Sequence, residues 1–352
     1  IIITHEHADH ISGLDELRPF YFPKQEKINI YTIQRTANFL STRFDYLFNK
    51  NEKSQSYFKP PMNLNIINYY DEINFNDINI KTIKQHHGVI DTLGLIINDK
   101  FAYCTDVVDF PGDSFNKLKN LDTSSLPEVN GNPRIGPCVN NVGKFLCIGL
   151  NFSDHAAETG AEAPEEPILF SKATSAIIGP NDNVEIPRTS TATDWEVELG
   201  IIIGKKTKYI TEAEAKNHIA GYCVVNDVSE RDFQIKRSGQ WTKGKSCDTF
   251  GPIGPYLVTT DEIDDVQNLS MFLDVNGQRM QDGSTKTMIF SGDHIVHYLS
   301  QFMTLFPGDV IATGTPPGVG LGMKPPVFLK PGDVMKLGIE GLGEQKQTCV
   351  AG

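Results

Sequence analysis

At 352 residues the chain is longer than one ordinary domain, and a prior of about two separately buried cores follows. Its net charge is −12 and its pI near 5.2, with no Lys/Arg block. That excludes the usual electrostatic footprint of nucleic-acid binding or of an anionic membrane surface, and points to a small-molecule partner. The acidic balance does not exclude acids as substrates, because a bound cation dominates the field in its own site.

The six cysteines include no C-x-x-C pair, and several lie in apolar runs, as buried free thiols do in a reducing compartment. No apolar run approaches the ~18 residues of a membrane span and no signal-peptide pattern is present, so the expected location is the cytoplasm. Composition shifts along the chain. Residues up to about 120 are rich in Asn, Ile and Lys, and the remainder carries more Gly, Pro, Val and Thr. The turn-rich stretch from Asn120 to Pro137 has little periodicity, which places a domain boundary at about 122.

The chain opens on Ile1-Ile2-Ile3, an apolar β-branched run that leads straight into THEHADH (4–10). Such a run reads as the interior of a fold, so the first domain is expected to be incomplete. Three histidines and an aspartate in six residues have metal-ligand spacing. On a loop after a strand, His5 and His7 face one point while Asp9 and His10 turn to another.

The segment THEHADHISGLDELRPF resembles the metallo-β-lactamase fold, in particular its cyclic-phosphodiesterase branch, over about residues 1–121. The resemblance implies that His5 and His7 hold one metal, Asp9 and His10 a second, with His87 of QHHGVIDTLG and a bridging Asp106 of FAYCTDVVDF completing the set. Zn²⁺ or Mn²⁺ is the implied metal. His87 is preferred over His86 because Gly88 follows it directly, as in the family. The family's further histidine near the end of the domain has no match here, so little activity is expected from this half. The second domain also reads as lacking its family's front segment, which suggests a fusion of fragments.

In TDWEVELGIIIG (193–204) the residues alternate, so Asp194, Glu196 and Glu198 share one strand face and Trp195, Val197 and Leu199 the other. Acids on a solvated strand face would be the ordinary reading. Facing a core, adjacent carboxylates repel unless a cation lies between them. The strand of YCVVNDVSERDFQ (222–234) ends at Asp227, well placed as a third oxygen ligand. An all-oxygen site suits Mg²⁺ or Mn²⁺ better than zinc. In GLNFSDHAAE (149–158), Ser153 or Asp154 caps a short helix that sets His155 and Glu158 three residues apart on one face. A carboxylate beside an imidazole orients a general base, although H-x-x-E alone is often an ordinary surface pair.

The order GLNFSDHAAE, DWEVELGIIIGK, VVNDVSERDFQ, GKSCDTFGPIGP, PGDVIATGTPPGVG resembles the fumarylacetoacetate hydrolase family over about 130–350. The resemblance implies a metal on Glu196, Glu198 and Asp227, water activation by His155 with Glu158, and a polarising Lys245. It further implies substrate contacts from Arg231 and Gln234, a substrate carboxylate held at Thr315, and a homodimer built through this domain. The fold class expected is two domains: a partial αβ/βα metallo-β-lactamase-like segment (1–121), then a mainly-β roll of the fumarylacetoacetate hydrolase type (122–352).

The activity implied is Mg²⁺- or Mn²⁺-dependent hydrolysis of a carbon–carbon bond in a 2,4-dioxo acid. The run SGQWTKGKSCDTFGPIGPYLVTTDEI is most similar to the subgroup acting on 2,4-diketo-3-deoxy sugar acids such as rhamnonate or fuconate derivatives, whose members are often labelled ureidoglycolate lyase. Ureidoglycolate cleavage, decarboxylation and isomerisation on the same site are the alternatives, as is a phosphodiesterase activity of the N-terminal half.

Overall fold

In the computed structural model the residues described are 1–24, 26–48, 61–107, 110–111, 113–114, 131, 133–160 and 162–352. The chain forms two compact units, Ile1–Asn130 and Gly131–Gly352. The boundary expected at about 122 lies outside the described residues.

The strands of the first unit are β1 (Ile28–Thr32), β2 (Met62–Ile66), β3 (Glu72–Phe75), β4 (Ile78–His87), β5 (Ile90–Ile97) and β6 (Phe101–Tyr103). β1 and β2 pair in parallel, and β3 to β6 form an antiparallel meander in chain order. Ile3, Ile11, Leu14, Ile30, Leu40, Leu47 and Met62 form its main buried cluster. Ile3 donates its amide to the Tyr31 carbonyl at 2.9 Å, so the opening apolar run lies along β1 and delivers His5 at its end.

The second unit is β-rich, as expected. Its strands are β7 (Phe145–Gly149), β8 (Ile168–Lys172), β9 (Ile177–Ile178), β10 (Val184–Ile186), β11 (Thr193–Asp194), β12 (Val197–Ile203), β13 (Ile219–Asn226), β14 (Ser229–Glu230), β15 (Gly251–Thr259), β16 (Ser270–Val275), β17 (Gln278–Ser284), β18 (Val310–Ala312), β19 (Val334–Ile339) and β20 (Gly343–Ala351). One sheet runs β8-β7-β18-β12-β13-β15-β9, another β10-β20-β19-β16-β17, and β11 pairs with β14 alone.

β12 is buried along its whole length and sits in the middle of the large sheet. Val197, Leu199, Ile201 and Ile203 point into a core shared with Leu273, Met335 and Leu337, while Ile202 packs against Phe145, Cys223 and Val225 on the other side. Each fully buried aliphatic contributes about 1.5–3 kcal/mol, so the period-two pattern fixes the register firmly. That alternation sends Glu196 and Glu198 to the face opposite Trp195 and Val197. It is not a solvated face: both glutamates are buried. The predicted single strand over 193–204 is broken at Trp195–Glu196, where the chain leaves the short β11 and enters β12.

Candidate active site

Three strands converge on the carboxylates. β12 pairs antiparallel with β13, with Val197 opposite Asn226, so the residue just past β13, Asp227, falls beside Glu196 and donates its amide to the Glu196 carbonyl at 2.9 Å. Oxygens of Glu196, Glu198 and Asp227 lie within 4.8 Å of one another. The β11–β14 pair sets Asp194 opposite Ser229 and so brings Arg231 onto Asp194.

Cations interleave with these acids. Lys245 Nζ lies 2.6 Å from Glu196 Oε2 and 2.8 Å from Asp227 Oδ2. Arg231 Nη2 lies 2.7 Å from Glu196 Oε1, and its Nε donates to Asp194 Oδ2 at 2.8 Å. Lys172, fully buried at the end of β8, pairs with the other oxygen of Asp227. Burial alone would raise the Glu196 carboxyl, but Lys245 and Arg231 outweigh it and hold the group down to about 2.

Glu198 is treated differently. Burial pushes its carboxyl well above the usual range, and the neighbouring Asp227 and Glu196 charges push it further. Its closest hydrogen-bond donor among the described residues is an amide, Gly314 N at 2.8 Å. Gly314 has a φ of +100° and a side chain there would meet Asn151 Cβ at 2.8 Å, so this donor position requires glycine. Asp194, Glu196 and Asp227 each pair with a buried cation, and Glu198, for which no cation partner is seen among the described residues, stands in the all-oxygen cluster. A hard divalent cation on Glu196, Glu198 and Asp227 fits that acid and that donor set.

Across the same cavity, of about 600 Å³, lies the His155–Glu158 pair. Leu150 turns the chain out of β7 at a left-handed φ of 51°. The Asn151 amide secures that turn by donating to the carbonyls of Phe290 (3.1 Å) and Thr313 (2.8 Å). The helix Ser153–Thr159 follows, with the His155 amide capped by Asp154 Oδ1 at 2.9 Å. His155 Nδ1 and Glu158 Oε2 are 3.1 Å apart. A carboxylate only accepts, so Nδ1 carries the proton and Nε2 is the basic nitrogen. Glu158 also accepts from Gly318 N at 3.1 Å.

Arg231, Gln234, Lys245 and Thr315 line the cavity with Glu196 and Glu198, whereas Asp227 reaches it through Lys245. Gln234 accepts from Arg231 Nη1 at 3.2 Å through Oε1. Thr315, expected to hold a substrate carboxylate, has its hydroxyl committed: it donates to the Val197 carbonyl (2.9 Å) and accepts from Gln281 (2.8 Å). Lys172 and Trp241 were not foreseen. Lys172 carried a signal, because it shares the inward phase of β8 with Ile168 and Phe170. Trp241, edge-on to Phe170 at 5.2 Å, gave none beyond its position in a glycine-rich loop.

In the first unit His5, His7 and His87 form one group able to hold a metal, and His5, His10 and Asp106 a second. His10 Nε2 lies 2.6 Å from Asp106 Oδ2. His86 pairs instead with Asp91 at 2.7 Å, in line with the choice of His87. Asp9, expected beside His10 in the second set, has its Oδ2 3.5 Å from His10 Nε2 with a side chain that is 77 % exposed.

A β-rich unit that buries three carboxylates across a cavity from a His–Glu pair is the architecture of a small-molecule enzyme. The chain belongs to the fumarylacetoacetate hydrolase family: residues 144–350 match the family described as "Fumarylacetoacetate (FAA) hydrolase C-terminal". Residues 1–133 match the "Beta-lactamase superfamily domain". A protein of Burkholderia orbicola (strain MC0-3), which carries only a provisional hydrolase name, is 57% identical over 266 residues, 74% of this chain and 93% of its own.

Among solved structures, a 2-hydroxyhepta-2,4-diene-1,7-dioate isomerase from Mycobacterium marinum is 37% identical, covering 62% of this chain and 78% of its own at a TM-score of 0.55. A fumarylacetoacetate hydrolase from Exiguobacterium antarcticum is 34% identical, covering 78% and 100% at 0.60. The 266 aligned residues of the Burkholderia relative are more than Gly131–Gly352 can supply. The expectation that the family's front segment is missing is corrected accordingly, since the likeness reaches back into residues ahead of the second unit. No described helix is long and apolar enough to cross a membrane.

Proposed function

We propose that the second unit hydrolyses a carbon–carbon bond of a 2,4-dioxo acid, with Mg²⁺ or Mn²⁺ held by Glu196, Glu198 and Asp227. The observation that carries this reading is a single cavity with a His–Glu pair on one wall and the cation-demanding carboxylates on another. A divalent metal held by Glu196, Glu198 and Asp227 would supply Lewis acidity toward the oxo acid.

The chain's own groups do the rest. His155 Nε2 takes a proton from water, which adds to the 4-oxo carbon, and Glu158 stabilises the imidazolium that forms. Lys245 has two of its three N–H donors on Glu196 and Asp227, and the third is available to the oxyanion. Gln234 accepts from Arg231 through its oxygen, which turns its NH₂ to the same task. As the oxyanion collapses and the C3–C4 bond breaks, the C4 fragment leaves as a carboxylic acid carrying the water oxygen, while the electron pair stays on C3 and the proton on His155 passes to that carbon, releasing a pyruvate-type acid.

Within this class, 2,4-diketo-3-deoxy rhamnonate or fuconate derivatives are the preferred substrates, and a homodimer the preferred assembly, on the strength of the motif resemblance. The test is pyruvate release from an acylpyruvate by the whole chain, with and without Mg²⁺ or Mn²⁺. Metal-dependent release supports the reading. A folded, metal-loaded protein that releases none redirects it to isomerisation, the activity in the name of the Mycobacterium marinum relative, or to decarboxylation or ureidoglycolate cleavage.

A second reading concerns the first unit alone. The His5-His7-His87 and His5-His10-Asp106 groups favour a metallo-β-lactamase-fold phosphodiesterase. Hydrolysis of bis(p-nitrophenyl) phosphate with Zn²⁺ or Mn²⁺, lost in His87→Ala, is its test.

A further inference from the structure

Asp194 shares a strand phase with Glu196, yet it belongs to neither the metal cluster nor the water-activating pair. Its carboxylate is fully buried and every acceptor position is taken. Oδ1 accepts from Gly320 N at 2.7 Å and from Trp195 N at 2.8 Å. Oδ2 accepts from Leu321 N at 2.9 Å and from Arg231 Nε at 2.8 Å.

Two of these donors belong to the cavity. Arg231 lines it, and Leu321 lies on the segment that walls it together with Val319, Gly322 and Met323. The amides are drawn in so closely that a side chain at Gly320 would meet the Val327 carbonyl at 1.9 Å and Asp194 Oδ1 at 2.8 Å. The next residue reinforces the contact, because Trp195 Nε1 donates to the Gly318 carbonyl at 3.1 Å.

We propose that Asp194 is a positioning residue whose one carboxylate fixes both the guanidinium of Arg231 and the 318–323 wall, so that the cation facing the substrate and the loop enclosing it are set as a unit. The functional side of this inference rests on the reading of the cavity as a 2-oxo acid site. The structural side does not. A carboxylate with four donors has no slack: a donor lost on one side lets it shift, and the donors on the other side loosen in turn. Arg231 Nη1 is simultaneously held by Gln234 at 3.2 Å, which extends the constraint to a second cavity residue.

The decisive experiment is hydrogen–deuterium exchange of the full chain, without substrate, in wild type and Arg231→Lys. Lysine keeps the charge but lacks the Nε donor that Asp194 holds. Exchange at the Gly320 and Leu321 amides is expected to rise about tenfold, with the strand Val334–Ile339 as an unchanged reference. Unchanged exchange at 320–321 would overturn the coupling, and so would a rise shared by Val334–Ile339, which would report general loosening.

In the assay, Asp194→Asn is expected to raise KM for the active acid about ten- to a hundredfold while kcat changes less, and to be non-additive with Arg231→Lys. A fall in kcat at constant KM, or additive effects, would sink it. If no 2-oxo acid is turned over at all, the functional reading fails while the exchange result still decides whether Asp194 couples arginine and loop.

Discussion

His155 Nδ1 lies 3.1 Å from Glu158 Oε2, and the same Glu158 carboxylate accepts the Gly318 amide at 3.1 Å. One acid thus orients the proposed base and touches the segment that walls the cavity. Glu158→Gln keeps the size and an acceptor but loses the charge that stabilises an imidazolium. Turnover is expected to fall on the order of 10²–10⁴-fold, the usual worth of a positioned proton-transfer group. Steady-state kcat checks this, and activity within threefold of wild type would leave the pair a surface contact.

Cation uptake should release a proton. Without a cation, burial and the charges of Asp227 and Glu196 push the Glu198 carboxyl well above its ordinary value. Its folded pKa then exceeds its unfolded one, so its contribution favours the fold at low pH and is withdrawn as pH rises through the folded value. A divalent cation needs the carboxylate form, which makes Mg²⁺ or Mn²⁺ affinity rise with pH. Titration calorimetry in buffers of different ionisation enthalpy is expected to show a proton released per site. Glu198→Gln should abolish both the release and the metal-dependent turnover, and binding heats independent of buffer would refute the role given to Glu198.

Lys172 is a buried counter-charge to the carboxylate cluster. It pairs with Asp227 and donates to the Val228 carbonyl at 3.0 Å. Lys172→Met removes one of the two cations on a buried acid; Lys245 still pairs with Asp227, so the cost stays below the roughly 3–5 kcal/mol of a fully unpaired buried charge. The metal-free variant should unfold at correspondingly lower denaturant. Saturating Mg²⁺ is expected to restore part of the loss, because the ion neutralises the same carboxylate. Equal destabilisation with and without Mg²⁺ would separate Asp227 from the cation site.

What could be seen in advance follows from range. The two-residue period of 193–204 and the apolar run ending at Asp227 are local, and they mark Glu196 and Glu198 as neighbours and Asp227 as a strand-end acid; that the three meet comes from the β12–β13 pairing, which only the family resemblance implied. That those acids are buried was not local, because burial comes from β12 lying between β13 and β18 in the sheet. The same holds for the ion pairs of Lys172 and Lys245 with Asp227, which span 55 and 18 residues of chain. The partners of Thr315 are likewise out of local reach: its place in GTPPGVG carries no sign of Gln281, on β17, which donates to its hydroxyl from 34 residues away.

The first unit offers a test that depends on one step along a strand. His86 and His87 end β4, and adjacent strand residues point to opposite faces. The His87 ring lies 5.0 Å from that of His7 and 5.4 Å from that of His5, whereas His86 turns to Asp91, itself paired with Lys84 at 2.8 Å. A zinc or manganese ion on this unit therefore needs His87 and not His86. Purified His87→Ala is expected to retain about tenfold less metal than wild type after dialysis against a weak chelator, and His86→Ala the wild-type amount, read by elemental analysis. Equal loss in both variants would mean that the unit's stability, not ligation, governs retention. Loss in His86→Ala alone would reverse the register, because a slip of one residue exchanges the two faces of the strand.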